Sequence, residues 1–89
     1  MAKMAKVEIF TQPGCPYCIR AVGLLKQKDI PFTEVDAPRG TKAREEAIER
    51  SGGKRTVPQI FINGTSIGGC DELLALERNG KLDELLKGA

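Results

Sequence analysis

Residues 6–18, Lys6-Val7-Glu8-Ile9-Phe10-Thr11-Gln12-Pro13-Gly14-Cys15-Pro16-Tyr17-Cys18, decide how the rest of the chain is read. Lys6 to Thr11 alternates apolar and polar side chains with β-branched and aromatic content, the pattern of a strand, and Gln12-Pro13-Gly14 ends it. Beyond that break, Cys18, Ala21, Val22 and Leu25 recur at the three-and-four spacing of one helix face. A strand therefore leads through a tight loop into a helix, with two thiols at the junction. Asp29-Ile30-Pro31 interrupts the helix, and Phe32-Thr33-Glu34-Val35-Asp36 alternates again. The three pieces make a βαβ unit, which predicts parallel strands and a right-handed crossover.

Thr41 to Ser51 places Ala43, Ala47 and Ile48 on one side and Glu46 four residues before Arg50, so it reads as a second helix with a thin apolar face, stopped by Gly52-Gly53. Gln59-Ile60-Phe61-Ile62 and Thr65-Ser66-Ile67 flank Asn63-Gly64, the strongest short-range signal for a hairpin. Asp71 to Arg78 is helical, Asn79-Gly80 stops it, and Leu82, Leu85 and Leu86 give a short last amphipathic helix. The order β-α-β-α-β-β-α, with that extra helix, predicts an α/β fold: one small mixed sheet carrying helices on its faces.

A chain of 89 residues, 40% hydrophobic and 29% charged, is expected to form one soluble domain over residues 1–89. The net charge of +2 is weak and the Lys and Arg residues are dispersed, which argues against nucleic acid as a partner. Met1 to Lys6 is too short and too broken by lysine for the apolar part of a signal peptide, and no later stretch reaches membrane-spanning length. The expected location is the cytoplasm, with no membrane association. A reducing compartment does not maintain structural disulfides, and a structural zinc site takes four Cys or His ligands where this chain has three cysteines and no histidine.

With Cys15 as N-cap, Pro16 occupies the first helical position, where its missing N–H costs nothing, and Cys18 follows one turn later on the same face. The two sulfurs can then approach disulfide distance with little movement. Unpaired N–H groups and the positive dipole end favour an anion there, so Cys15 is expected to be a thiolate near neutrality, while Cys18, deeper in the turn, stays protonated. Cys15 would attack and Cys18 resolve. Half of a metal site is the alternative, but Cys-x-x-Cys beside a βαβ pattern points to redox chemistry.

Three blocks, Cys15-Pro16-Tyr17-Cys18, Thr56-Val57-Pro58 and Gly68-Gly69-Cys70-Asp71, lie in the order and spacing of the dithiol glutaredoxins, and the resemblance runs from Val7 to about Leu86. It implies a thioredoxin-like fold with a four-stranded mixed sheet. It also implies reduction of disulfides, above all glutathione mixed disulfides, with glutathione as electron donor and no tightly bound cofactor or metal. Its implied partners are glutathione and disulfide-containing or glutathionylated proteins, ribonucleotide reductase among them, acting on a monomer.

In the second block the resemblance implies a cis Val57-Pro58 bond, and Val57 would pair with an extended tripeptide by β-addition. In the third, Gly68-Gly69 admits close backbone approach, the N–H groups of Cys70 and Asp71 suit a carboxylate, and Asp71 can accept from an ammonium. Tyr17 would line the groove, and Thr56 and Gly69 would complete it. Arg55 would lie nearest a substrate carboxylate, whereas Arg20, Arg39, Lys42, Arg44 and Lys54 read as solvated charges. Cys70 reads as a small, partly buried residue without a redox role. Many relatives carry lysine where this chain has Gln12, which adds hydrogen-bonding groups but no charge beside Cys15. Two rivals follow from the same resemblance: a glutaredoxin-shaped protein reduced by thioredoxin reductase, and a dimer holding an iron–sulfur cluster through Cys15 and glutathione, which Pro16 disfavours.

Overall fold

The first strand forms as its alternation requires, in a computed structural model that describes residues 5–87. Met1 to Met4 of the lysine-broken N-terminal stretch lie outside the described residues. In β1 (Val7–Thr11), Val7 and Ile9 face one core, and Phe10 faces another. α1 (Pro16–Gln27) follows, then β2 (Thr33–Asp36), α2 (Lys42–Arg50), β3 (Gln59–Ile62), β4 (Thr65–Gly68), α3 (Cys70–Arg78) and α4 (Lys81–Lys87). The sheet order is β2-β1-β3-β4, with β1 parallel to β2 and antiparallel to β3, and β3 antiparallel to β4. β1 is thus central, and its C-terminal end delivers the Cys15 loop.

The larger core joins Val7, Ile9, Ile60 and Ile62 of the sheet to Ala21 and Leu25 of α1, Leu73 of α3, and Leu82 and Leu86 of α4. The smaller core, under α2, holds Phe10, Phe61, Ala37 and Ala47, with the two rings edge to face at 5.5 Å. The thin apolar face expected of α2 is supplemented by Arg50, whose guanidinium lies over the Phe61 ring at 4.3 Å and pairs with Glu8 at 2.8 Å and Glu46 at 3.0 Å. The hairpin forms where Asn-Gly predicts it: Asn63 and Gly64 have φ of 52° and 82°, the two positive values a type I′ turn needs.

Candidate active site

The junction of β1 and α1 is built by its own residues. Gly14, at φ 73°, turns the chain, Cys15 is the N-cap of α1, and Pro16 opens the helix. The backbone N–H of Cys18 donates to the Cys15 Sγ at 3.2 Å, so the cap bond falls on the sulfur rather than on an oxygen. That sulfur also lies 3.8 Å from the Val57 carbonyl oxygen, which joins the first and second motif blocks in space although 42 residues separate them. Both thiols are free. Cys15 is 9% exposed and Cys18 only 3%. Burial, followed by the hydrogen bond and charge of Cys15 and the charge of Glu34, pushes the Cys18 thiol up to about 12, against a smaller opposing effect of a backbone bond at Gln12. The expected shielding of Cys18 is therefore present.

The Val57-Pro58 peptide is cis. Buried Gln59 holds the preceding residue: its Nε2 donates to the Thr56 carbonyl at 2.9 Å and lies 3.3 Å from the Thr56 hydroxyl. Thr56, Val57 and Pro58 line one side of a groove of about 280 Å³, whose other walls are Tyr17 and the run Gly69 to Glu72. Tyr17 is exposed there. The start of α3, with Asp71 in its first turn, thus forms part of the groove wall.

The glycine pair has an internal use that the sequence did not disclose. The Glu72 carboxylate reaches back to accept from the Gly69 N–H at 2.6 Å, and a Cβ on Gly68, where φ is 113°, would sit 2.7 Å from that carboxylate oxygen. Part of the room the glycines leave is filled by the protein's own cap. Cys70 is fully buried in the larger core, not partly buried as expected, and burial raises its thiol while the Arg20 charge lowers it.

Gln12 and Arg55 do not line this groove. Gln12 borders a separate cleft of about 610 Å³ beside α1, and Arg55 borders a hollow of about 360 Å³ with Arg39 and Arg44. Arg44 corrects the sequence reading, which took it for a solvated charge. It is 6% exposed, and its guanidinium donates to the Gln12 Oε1 at 2.9 Å, the Ala37 carbonyl at 2.9 Å, and the Arg55 carbonyl from Nη2 at 2.8 Å and from Nε at 3.2 Å. Each of these acceptors is neutral. Arg44 thus brings a cation to Gln12, where many relatives place lysine, and ties the Cys15 loop to the segment before Val57. A cation in the first turn of α2, at the wrong end of the helix dipole, was the one sequence signal available.

A family model described as Glutaredoxin matches residues 7–67. The chain belongs to the glutaredoxin family. This glutaredoxin is 54% identical over 84 residues to Glutaredoxin 3 of Escherichia coli strain K12, an alignment covering 94% of this chain and 100% of that one. Among solved structures, the glutaredoxin of Brucella melitensis matches with a TM-score of 0.81 and 55% identity, covering 94% of this chain and 90% of that one. A buckwheat glutaredoxin–glutathione complex matches with a TM-score of 0.81 and 29% identity, covering 92% and 76%. The chain is a dithiol glutaredoxin, a glutathione-dependent thiol-disulfide oxidoreductase with a thioredoxin-like fold and a four-stranded mixed sheet. No helix of the described residues is long and apolar enough to cross a membrane.

The burial of Cys18 has a consequence that pH reads directly. A thiol held near 12 is roughly one part in 10⁵ thiolate at pH 7, and its reactivity follows that fraction. A Cys15→Ser chain loses the hydrogen bond and charge of Cys15 but keeps the burial, the largest cause, so iodoacetamide labelling of its reduced Cys18 is expected to go on accelerating with pH beyond about pH 9. A plateau below pH 9, followed by mass spectrometry, would show that burial does not control this thiol. The linked effect on folding has a fixed sign. Because the folded value lies above the ordinary 9.0, the stabilisation is complete below about pH 9 and is lost as pH rises from there toward 12.

Proposed function

We propose that Cys15 is the nucleophile and Cys18 the resolving thiol of two related reactions. The Cys15 Sγ, bonded by the Cys18 N–H at 3.2 Å and lying 3.8 Å from the carbonyl of Val57 on the wall of the groove, carries this reading. In the first reaction the Cys15 thiolate attacks the glutathione sulfur of a mixed disulfide, a new S–S bond forms, and the substrate leaves as thiolate and takes a proton from solvent. A second glutathione thiolate then attacks the sulfur of the glutathione held on Cys15, releasing oxidised glutathione and Cys15. In the second reaction Cys15 forms a mixed disulfide with a target protein, and Cys18 attacks Cys15 and expels the target thiolate. The Cys15–Cys18 disulfide is then reduced by two glutathiones.

Glutathione lies in the groove with its main chain beside Val57, its γ-glutamyl carboxylate at the Cys70 and Asp71 N–H groups, and its ammonium on the Asp71 side chain. Thr56, Pro58 and Gly69 shape that groove, and Tyr17 covers it. The glycyl carboxylate points toward Gln12 and the hollow bordered by Arg55, Arg44 and Arg39. No tightly bound cofactor or metal is required, and the chain works as one domain and a monomer in the reducing cytoplasm on glutathionylated or disulfide-containing proteins.

The test is the choice of reductant with a small glutathione mixed disulfide as substrate. Glutathione with its reductase is expected to support turnover at least about tenfold faster than thioredoxin reductase at equal electron supply, because only glutathione uses the groove. Equal or faster turnover with thioredoxin reductase alone would refute the assignment of the groove.

A further inference from the structure

The 610 Å³ cleft is larger than the glutathione groove, and the reactions above use only its near edge, at Gln12 and Cys18. It begins at Gly14 and Cys18, runs along α1 past Ile19 and Val22, and ends at Glu34 and Asp36 of β2. The strand order β2-β1-β3-β4 places it on the flank of β1 opposite the groove, which is built on β3 and α3. Two features of its lining are unusual. Ile19 is 70% exposed although it adjoins the resolving thiol. Glu34 and Asp36, two apart on an edge strand and so on one face of it, form no ion pair among the described residues. Glu34 accepts from the Thr11 hydroxyl at 2.9 Å, and Lys26 is the one cation on the lining.

A tripeptide whose cysteine is joined to Cys15 ends at Gln12 and the Arg55 hollow, whereas a polypeptide joined by the same bond continues past the active-site loop. We propose that this cleft docks the polypeptide of a protein substrate. An apolar side chain rests on Ile19 and Val22, and a lysine or arginine a few residues from the reacting cysteine reaches Glu34 and Asp36. The occupant is basic because the lining carries two unpaired carboxylates against one ammonium. This rests on the reading that Cys15 forms mixed disulfides with proteins, and it adds which proteins are preferred.

The experiment compares two short peptides that each contain an intramolecular disulfide and the same apolar residues, one flanked by lysines and one by glutamates. Reduced glutaredoxin is mixed with each, and the second-order rate is followed at about 50 mM and 500 mM salt. The lysine peptide is expected to react about fivefold faster at low salt, the preference shrinking at high salt. The Glu34→Lys/Asp36→Lys chain is expected to prefer the glutamate peptide. Ile19→Ser, at an exposed position that threatens no core, is expected to slow both peptides about threefold.

Rates within twofold for the two peptides, or a preference that survives the charge reversal, overturn the proposal. If neither peptide is reduced while a small glutathione mixed disulfide is turned over, the reading of protein substrates fails instead. Sedimentation serves as the remaining check: a dimer dispersed by the charge reversal would assign the cleft to a second copy of this chain and overturn the proposal as well.

Discussion

Serine at position 15 is expected to lower turnover of glutathione mixed disulfides and of protein disulfides by at least about 10³-fold, because a hydroxyl neither ionises near neutrality nor forms the disulfide that both routes require. Serine at position 18 is expected to leave mixed-disulfide turnover within about threefold of wild type and to abolish the protein-disulfide route. The asymmetry follows from the cap. The group that holds the Cys15 sulfur is the backbone N–H of residue 18, at 3.2 Å, and a serine there keeps it. The Cys18 thiol is needed only as a second nucleophile, and its burial makes it a slow one until a mixed disulfide places its target one helical turn away. Coupled assays with a small mixed disulfide and with a disulfide-bonded peptide, run on both variants, separate the two roles. Equal loss of mixed-disulfide turnover in both variants would mean that the thiols act as a unit from the first step.

The parts of this site that were readable from the sequence are those fixed by neighbours along the chain. Pro16 after Cys15 specifies a helix start, and Cys15 is indeed the N-cap and Pro16 the first helical residue. Asn63-Gly64 specifies a turn with two positive φ values, and Thr41 caps α2 through a bond to the Arg44 N–H at 3.2 Å. The three motif blocks converged because the glutaredoxin resemblance supplied a topology that spacing alone does not. What escaped was long-range and polar. The position of Arg44 depends on carbonyls of Ala37 and Arg55 and on the amide of Gln12, none of them helix neighbours, and a charged side chain carries no periodic signature of burial. The separation of Gln12 and Arg55 from the groove has the same origin. Arg55 adjoins Thr56 and Gln12 lies three residues before Cys15, yet each borders a different hollow.

Replacing Arg44 by leucine is expected to cost about 2–4 kcal/mol of stability, since it removes four hydrogen bonds and strands acceptors in a partly buried place. Against a total of roughly 4–13 kcal/mol for a chain of this size, that is a large share. The functional effect should be larger than for a core truncation of equal cost, because the lost bonds connect Gln12 on the Cys15 loop to Arg55 beside Thr56 and Val57. The KM for glutathione is expected to rise about tenfold in leucine variants that remain folded.

Arg44→Lys separates tethering from charge. An ammonium keeps the positive charge near Gln12 but cannot span the Gln12, Ala37 and Arg55 oxygens as the planar guanidinium does. If bridging is what matters, lysine resembles leucine in denaturant midpoint and KM. If the charge matters, lysine restores KM while leaving the midpoint low. Wild-type values for both in the lysine variant would show that Arg44 neither ties the two segments together nor serves the substrate carboxylate.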